Sequence, residues 1–201
     1  MLNDTTLLLS DSNIYSLYDR VNTEFRKVCD FFRMNKLALH HGKTNFILFT
    51  KQKINNPSKL LFNNNNDDET DPFLIHEINS ITVHSQTPAA KFLGVYFDPL
   101  LNFKFHIDTV RKKLSKALYM LRMAKNVLNP DSLTLLYYSL FHCHLIYALP
   151  IWSCTSWSNV KPLFVMQKNA IRIINNMHYN AHTEPLFKIN EILPLPDLID
   201  Y

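Results

Sequence analysis

The chain has 201 residues, 47% of them hydrophobic, which excludes an intrinsically disordered polymer and allows one domain or two small ones. Only two glycines occur, Gly42 and Gly94, which argues against a glycine-rich phosphate loop. The net charge of +4 is unevenly placed: residues 1–103 hold 10 Lys/Arg and 11 Asp/Glu, whereas residues 104–172 hold 10 Lys/Arg and two acids, Asp108 and Asp131, a balance of +8 that points to an anionic partner.

The opening "MLNDTTLLLS" places a leucine run, Leu7–Leu9, where a strand would have nothing before it to pair with. Ile14, Leu17, Tyr18, Val21, Phe25, Val28, Cys29 and Phe32 then recur at helical spacing. They predict one amphipathic helix over roughly 13–33, capped by Asp11 or Ser12, with Arg20, Glu24, Arg26 and Lys27 outward. "KTNFILFTK" reads as a short buried strand. Residues 52–72 carry four consecutive asparagines and an acidic cluster between Pro57 and Pro72, which predicts a long low-complexity surface loop. "FLIHEINSITVHS" and "KFLGVYFD" read as strands, with Asn79-Ser80 as a turn.

From residue 104 the period changes to that of a helix. Ile107, Val110, Leu114, Ala117, Leu118 and Leu121 mark one face, and Arg111, Lys112, Lys113, Lys116 and Lys125 the other. Asn129-Pro130 reads as an N-cap followed by proline at the first helical position, opening a helix that runs to about Pro150. Val160, Leu163, Phe164, Gln167, Ala170, Ile171 and Ile174 mark another, and Glu184 to Ile192 a short last one. Strands with one helix, followed by a run of helices, make an α+β chain: residues 1–103, then a helical region over 104–201.

The candidate chemistry in isolation is thin. His142, Cys143, His144 and Cys154 lack the spacing of a structural zinc site, and polar residues tolerated within a helix account for them. Residues 133–159 contain no Asp, Glu, Lys or Arg, yet two histidines, several Ser and Tyr, and Pro150 interrupt the run, so a buried helix is favoured over a membrane span. His40-His41 beside Gly42 has no carboxylate or nucleophile at a readable spacing. An odd cysteine count (Cys29, Cys143, Cys154) without a basic leader or cleavage site points to an intracellular setting, cytoplasm or nucleus.

Three stretches taken in order carry a resemblance. "NKLALHHGKTNFILF", with Asn-x-Leu-x-Leu followed by Lys-Thr, resembles a helix-to-strand segment of the reverse transcriptases of non-LTR retrotransposons. "KFLGVYFDPLLNFKFHI" resembles their primer-grip hairpin, in which Phe-Leu-Gly is followed by Asp and then His-Ile. "LPIWSC" with "MQKNAIRII" resembles their downstream helical region. The match is best to the jockey-like branch and spans essentially the whole chain. In that family a turn reading aromatic-Ala-Asp-Asp-Thr presents a metal-binding Asp. "MLNDT" falls on it, with Asn3 at the first Asp, while Asp4 and Thr5 match.

The resemblance implies a partial palm, of a few antiparallel strands and one long helix, ending in the primer grip, followed by a helical thumb-like bundle over 104–201. It implies that the chain opens at the catalytic turn, with the fingers and the other catalytic Asp strand lying before it, and that "LPLPDLIDY" stops as a further helix begins. The intact family performs RNA-directed DNA polymerisation with Mg²⁺. Here no catalytic set is intact, because Asn3 supplies a neutral amide and Asp4 is a vestigial metal ligand. Phe92, Leu93 and Gly94 would form the primer grip, and Lys43 would lie near the incoming nucleotide. Arg111, Lys112, Lys113 and Lys116 would follow a primer–template backbone weakly and without sequence preference. No membrane partner is implied, and an unpaired palm edge at Leu7–Leu9 would favour self-association. The rival readings are a non-enzymatic helical interaction module and a relic reading frame.

Overall fold

The computed structural model describes residues 5–37, 39, 44–50, 61–63, 75–77, 79–81 and 89–200. The chain divides into two compact units, Met1–Thr87 and Pro88–Tyr201.

In the first unit, helix α1 spans Ile14–Met34. Its N-cap is Asn13 rather than Asp11 or Ser12: the Asn13 side chain accepts from the Tyr15 N–H at 2.9 Å. Asp11 lies one step further out, accepting from the Asn13 N–H at 3.0 Å and pairing with Arg20 at 3.1 Å. The Asn13 bond and then Arg20 hold the Asp11 carboxyl down at about 2. Tyr18 is the one buried side chain of α1, packed with Ile14, Val21, Phe25 and Cys29 of the helix and with Leu39, Phe46 and Leu48.

Strands β1 (Asn45–Ile47), β2 (Leu61–Asn63), β3 (Ile75–Glu77) and β4 (Asn79–Ile81) form two pairs. β2 and β3 are antiparallel, with Phe62 opposite His76. β1 and β4 are parallel, with Phe46 opposite Ser80, so the expectation of antiparallel strands alone is corrected. Asn79-Ser80 is strand, not turn, because both residues lie in the ladder with β1. β2 also lies inside the stretch 52–72 that composition marks as loop; Leu61 and Phe62 supply strand-forming residues in its middle, and the rest of the stretch lies outside the described residues. Leu7–Leu9 form no strand: no described segment pairs with them, and Leu8 stands in solvent. The palm edge expected there is therefore not a strand edge.

The second unit begins with a hairpin. β5 (Ala90–Phe92) and β6 (Val95–Phe97) are antiparallel, and the following helices are α2 (Lys104–Ala124), α3 (Pro130–Tyr137), α4 (Cys143–Ile146), α5 (Leu149–Trp152), α6 (Trp157–Ile174), α7 (Glu184–Ile189) and α8 (Leu195–Asp200). The hairpin belongs with the helices: Val95 and Phe103 join Ile107, Val110, Leu114 and Leu121 in one core. A division of the chain by periodicity at 103/104 thus differs from the division by packing at 87/88.

α3 starts as its sequence dictates, with Asn129 accepting from the Ser132 N–H at 2.9 Å and Pro130 in the first turn, where its missing N–H costs nothing. It does not continue as one helix to Pro150. Tyr138–His142 form a π-helical turn, α4 follows, and Ala148 in the left-handed region (φ 52°) breaks the path before α5. The break lets Tyr137, Phe141, Leu145, Leu149 and Trp152 all turn inward, and the Trp152 indole N–H closes it by donating to the Tyr147 carbonyl at 2.8 Å. α6 packs against α2 across this core. Its fully buried Gln167 is satisfied on both ends: its amide donates to the Tyr137 hydroxyl (3.1 Å) and the Leu193 carbonyl (2.9 Å), and its oxygen accepts the Leu195 N–H (2.8 Å). Gln167 thereby ties the start of α8 to the core. Arg172 ties the loop before α7, donating to the Ala181 carbonyl at 2.9 Å. Mixed helix and small sheets make this an α+β chain.

Candidate nucleic-acid interface

The hairpin tip is built by two residues with positive φ, Leu93 (44°) and Gly94 (82°). A two-residue turn with both φ positive matches the twist of the strands it joins. Leu93 pays about 1–2 kcal/mol to adopt it. Tyr147 secures it from 54 residues away, its hydroxyl donating to the Leu93 carbonyl at 2.6 Å. The same ring explains the glycine, since a Cβ on Gly94 would meet Tyr147 ring atoms at 3.1–3.4 Å. Phe92 and Leu93 are left in solvent, Leu93 at 75% exposure. The three residues that the resemblance assigns to a primer grip thus form an apolar tip on a clamped turn.

Between the hairpin and α2 the chain makes a strained loop, with Leu101 (φ 52°) and Phe103 (φ 53°) both left-handed. One buried carboxylate holds it. Asp98 accepts N–H groups from Leu100 (3.1 Å), Asn102 (3.2 Å) and Phe103 (2.8 Å), and the Phe103 ring is buried edge-on against Phe97. Asn102, one residue before the N-cap Phe103, accepts the Lys104 N–H at 3.0 Å, and its carbonyl receives Thr155 at 2.7 Å. His106 locks the register from below: its Nδ1 accepts the Tyr96 N–H at 3.4 Å, and its ring lies against Tyr96 and Trp152. Burial first, and then the Lys113 ammonium, push the His106 imidazole down to about 4, so it is neutral at physiological pH. The Asp and His of the "FLGVYFD…HI" motif therefore position the helix.

The helix so aimed carries the charge. α2 buries His106, Ile107, Val110, Leu114, Ala117, Leu118 and Leu121 and turns Arg111, Lys112, Lys113 and Lys116 to solvent. The four are not equivalent. Arg111 pairs with Asp108 at 3.3 Å. Lys113 lies toward α4, where burial first and then this ammonium lower the His144 pKa. Lys112 and Lys116 share one face at i, i+4. Among the described residues, Lys112, Lys113 and Lys116 have no ion pair. Two cations outside α2 are engaged: Lys168 sits 4.3 Å from the Phe164 ring centroid, and Arg172 is bonded to Ala181 and Asn169. Lys112, Lys113 and Lys116 thus form a cluster of cations without an ion pair on α2.

Asn3, Asp4, His40, His41 and Lys43 lie outside the described residues. The Mg²⁺ ions that the resemblance implies need converging carboxylate oxygens. Among the described residues no three His, Cys, Asp or Glu side chains converge, and Asn3 with Asp4 amounts to one amide and one carboxylate. Asn3 and Asp4 by themselves do not make a two-metal site. Cys143 and Cys154 each donate to a carbonyl of the preceding turn, Ser139 and Ile151. Among the described residues no helix is long and apolar enough to cross a membrane.

Sequence reasoning located the basic face but missed Tyr147, Asp98 and Gln167 as structural clasps. Asp98 left a trace, an acid directly after a strand and before a helix; Tyr147 left none, because its partner is 54 residues distant. Compared with known proteins, the chain matches no family model, no curated protein and no solved structure.

Proposed function

We propose that the chain derives from the reverse transcriptase of a non-LTR retrotransposon and that its second unit binds nucleic acid through the phosphate backbone. The palm and thumb assignments rest on the three sequence stretches in order, and the second and third of these contain residues that organise this unit, namely Asp98, His106, Trp152 and Gln167. The observation that carries the binding reading is the row of unpaired ammonium groups on α2, held at the foot of a clamped hairpin. Phosphate contacts of this kind fix position without reading sequence. Polymerisation is not expected of these 201 residues, because Asn3 and Asp4 offer a single carboxylate where two metal ions need several.

Titrating the full chain with a labelled RNA–DNA hybrid at several salt concentrations tests the proposal. Three to five phosphate contacts predict a log-affinity against log-salt slope of about −3 to −4, with Kd of about 10⁻⁴–10⁻⁶ M at physiological salt. Changing Lys112, Lys113 and Lys116 together to Glu removes binding. Changing Arg26 and Lys27 on α1 has little effect, since Lys27 is already paired with Glu24 at 2.7 Å. Salt-independent binding, or unchanged binding by the triple variant, overturns the proposal.

A further inference from the structure

The outward stripe of α2 is not uniformly polar. Phe105, Lys112, Lys116, Tyr119 and Met123 follow one another at steps of seven, four, three and four, which puts all five on a single line of the helix surface. By the rise of an α-helix that line is about 27 Å long. A soluble helix ordinarily turns polar residues outward on the side opposite its core. Here Tyr119 is 63% and Met123 60% exposed, and they flank the two free lysines with Phe105. Phe105 is fixed in place edge-to-face on Tyr96 at 5.1 Å, and Lys91 stands 6.0 Å from the Tyr96 ring centroid, so the alternation of cation and aromatic ring continues into the hairpin.

We infer that this stripe is a stacking platform for single-stranded nucleic acid, an inference that rests on the backbone-binding reading and goes beyond it. A duplex offers phosphates to Lys112 and Lys116 but keeps its base faces covered, so Phe105, Tyr119 and Met123 would gain nothing from it. A single strand offers both, and combined cationic and aromatic surfaces are how sequence-tolerant single-strand binding is achieved. The lysines hold the backbone; Tyr119, the most exposed ring of the stripe, takes a base face; Phe105, braced by Tyr96, takes a second.

The test measures anisotropy of a labelled single-stranded RNA and of the matching RNA–DNA hybrid with the full chain. The wild type binds the single strand more tightly. Tyr119→Ala weakens the single strand by about 5- to 10-fold and the hybrid by less than about twofold, in line with the cost of losing one stacked base. Tyr119→Phe keeps the preference. Because Tyr119 projects into solvent, these variants leave the thermal unfolding curve in place. Lys112→Glu with Lys116→Glu weakens both ligands. If Tyr119→Ala affects both ligands equally, or neither, while the lysine variant weakens both, the platform is refuted and the backbone reading stands. If the lysine variant weakens neither ligand, both fall. Binding of an acidic amphipathic peptide in place of either nucleic acid assigns the stripe to a protein partner and overturns the inference.

Discussion

The two longest helices are of equal length, 21 residues each, and both are amphipathic by sequence, yet α2 buries seven side chains and α1 one. α2 lies against α6 in a core that also takes in the hairpin, the π-helical turn and the two short C-terminal helices. Among the described residues, α1 has Leu39, Phe46 and Leu48 around Tyr18, and Ile14, Val21, Phe25 and Cys29 stay half-buried. Periodicity thus reports that a face is apolar; how far that face leaves water depends on what folds over it. The same contrast separates the charges. On α1 Arg33 pairs with Asp30 and Lys27 with Glu24, whereas on α2 Lys112, Lys113 and Lys116 have no ion pair among the described residues.

The contrast can be broken most directly at the core. Leu121→Ala in α2, at a site with no solvent exposure, is expected to cost about 2–5 kcal/mol in chemical denaturation. Phe25→Ala on α1, from a half-buried position, should cost the first unit well under that. Equal losses would mean that α1 is buried as deeply as α2, and the comparison would collapse.

Next in size is the clasp between hairpin and helix. Asp98→Ala strands three N–H groups in a loop that already holds two left-handed residues, and a loss of about 3 kcal/mol follows from removing a charged acceptor. Asp98→Asn keeps an acceptor oxygen and should recover part of it. No loss in Asp98→Ala would show that the loop is held by Phe103 burial alone.

The smallest effect is a pH dependence confined to the second unit. His106 is 4% exposed, and its pKa falls from 6.5 to about 4 on folding, mainly through burial. Folding therefore favours the neutral ring. The unfolded chain takes up a proton below about pH 6.5, so this stability is present above that value and is lost as pH falls toward 4. About 2 kcal/mol should disappear between pH 7 and 5. Burial shifts His142 and His144 in the same direction. His106→Asn should flatten the decline, read by denaturation at stepped pH; an unchanged slope would assign it to the other two histidines.

Much of the candidate interface was legible because it is local. A helix over 104–124 and its charged face follow from residues three and four apart, whereas "KFLGVYFD", which by pattern reads as strand, folds back at Leu93–Gly94 into a hairpin that only the family resemblance suggested. What supports that interface was not legible, since the residues concerned meet only when the unit folds. Nothing near Tyr147 announces that it will hold Leu93, and nothing near Gln167 announces Leu193 and Leu195.

By itself, then, the sequence determined the helices α1, α2 and α6, the Asn129-Pro130 start of α3 and the basic character of 104–172, because each depends on the turn-by-turn geometry of a short stretch. Only the tertiary structure decided that residues 130–152 break into α3, a π-helical turn, α4 and α5, that β1 lies parallel to β4, and that the hairpin packs with the helices. For the second unit the physical reason is that the breaks and the docking of the hairpin turn on burying Tyr137, Phe141, Leu145 and Trp152 together and on hydrogen bonds between residues 26 to 54 positions apart. A local pattern encodes which face is apolar; it does not encode the distant surface that the face will meet.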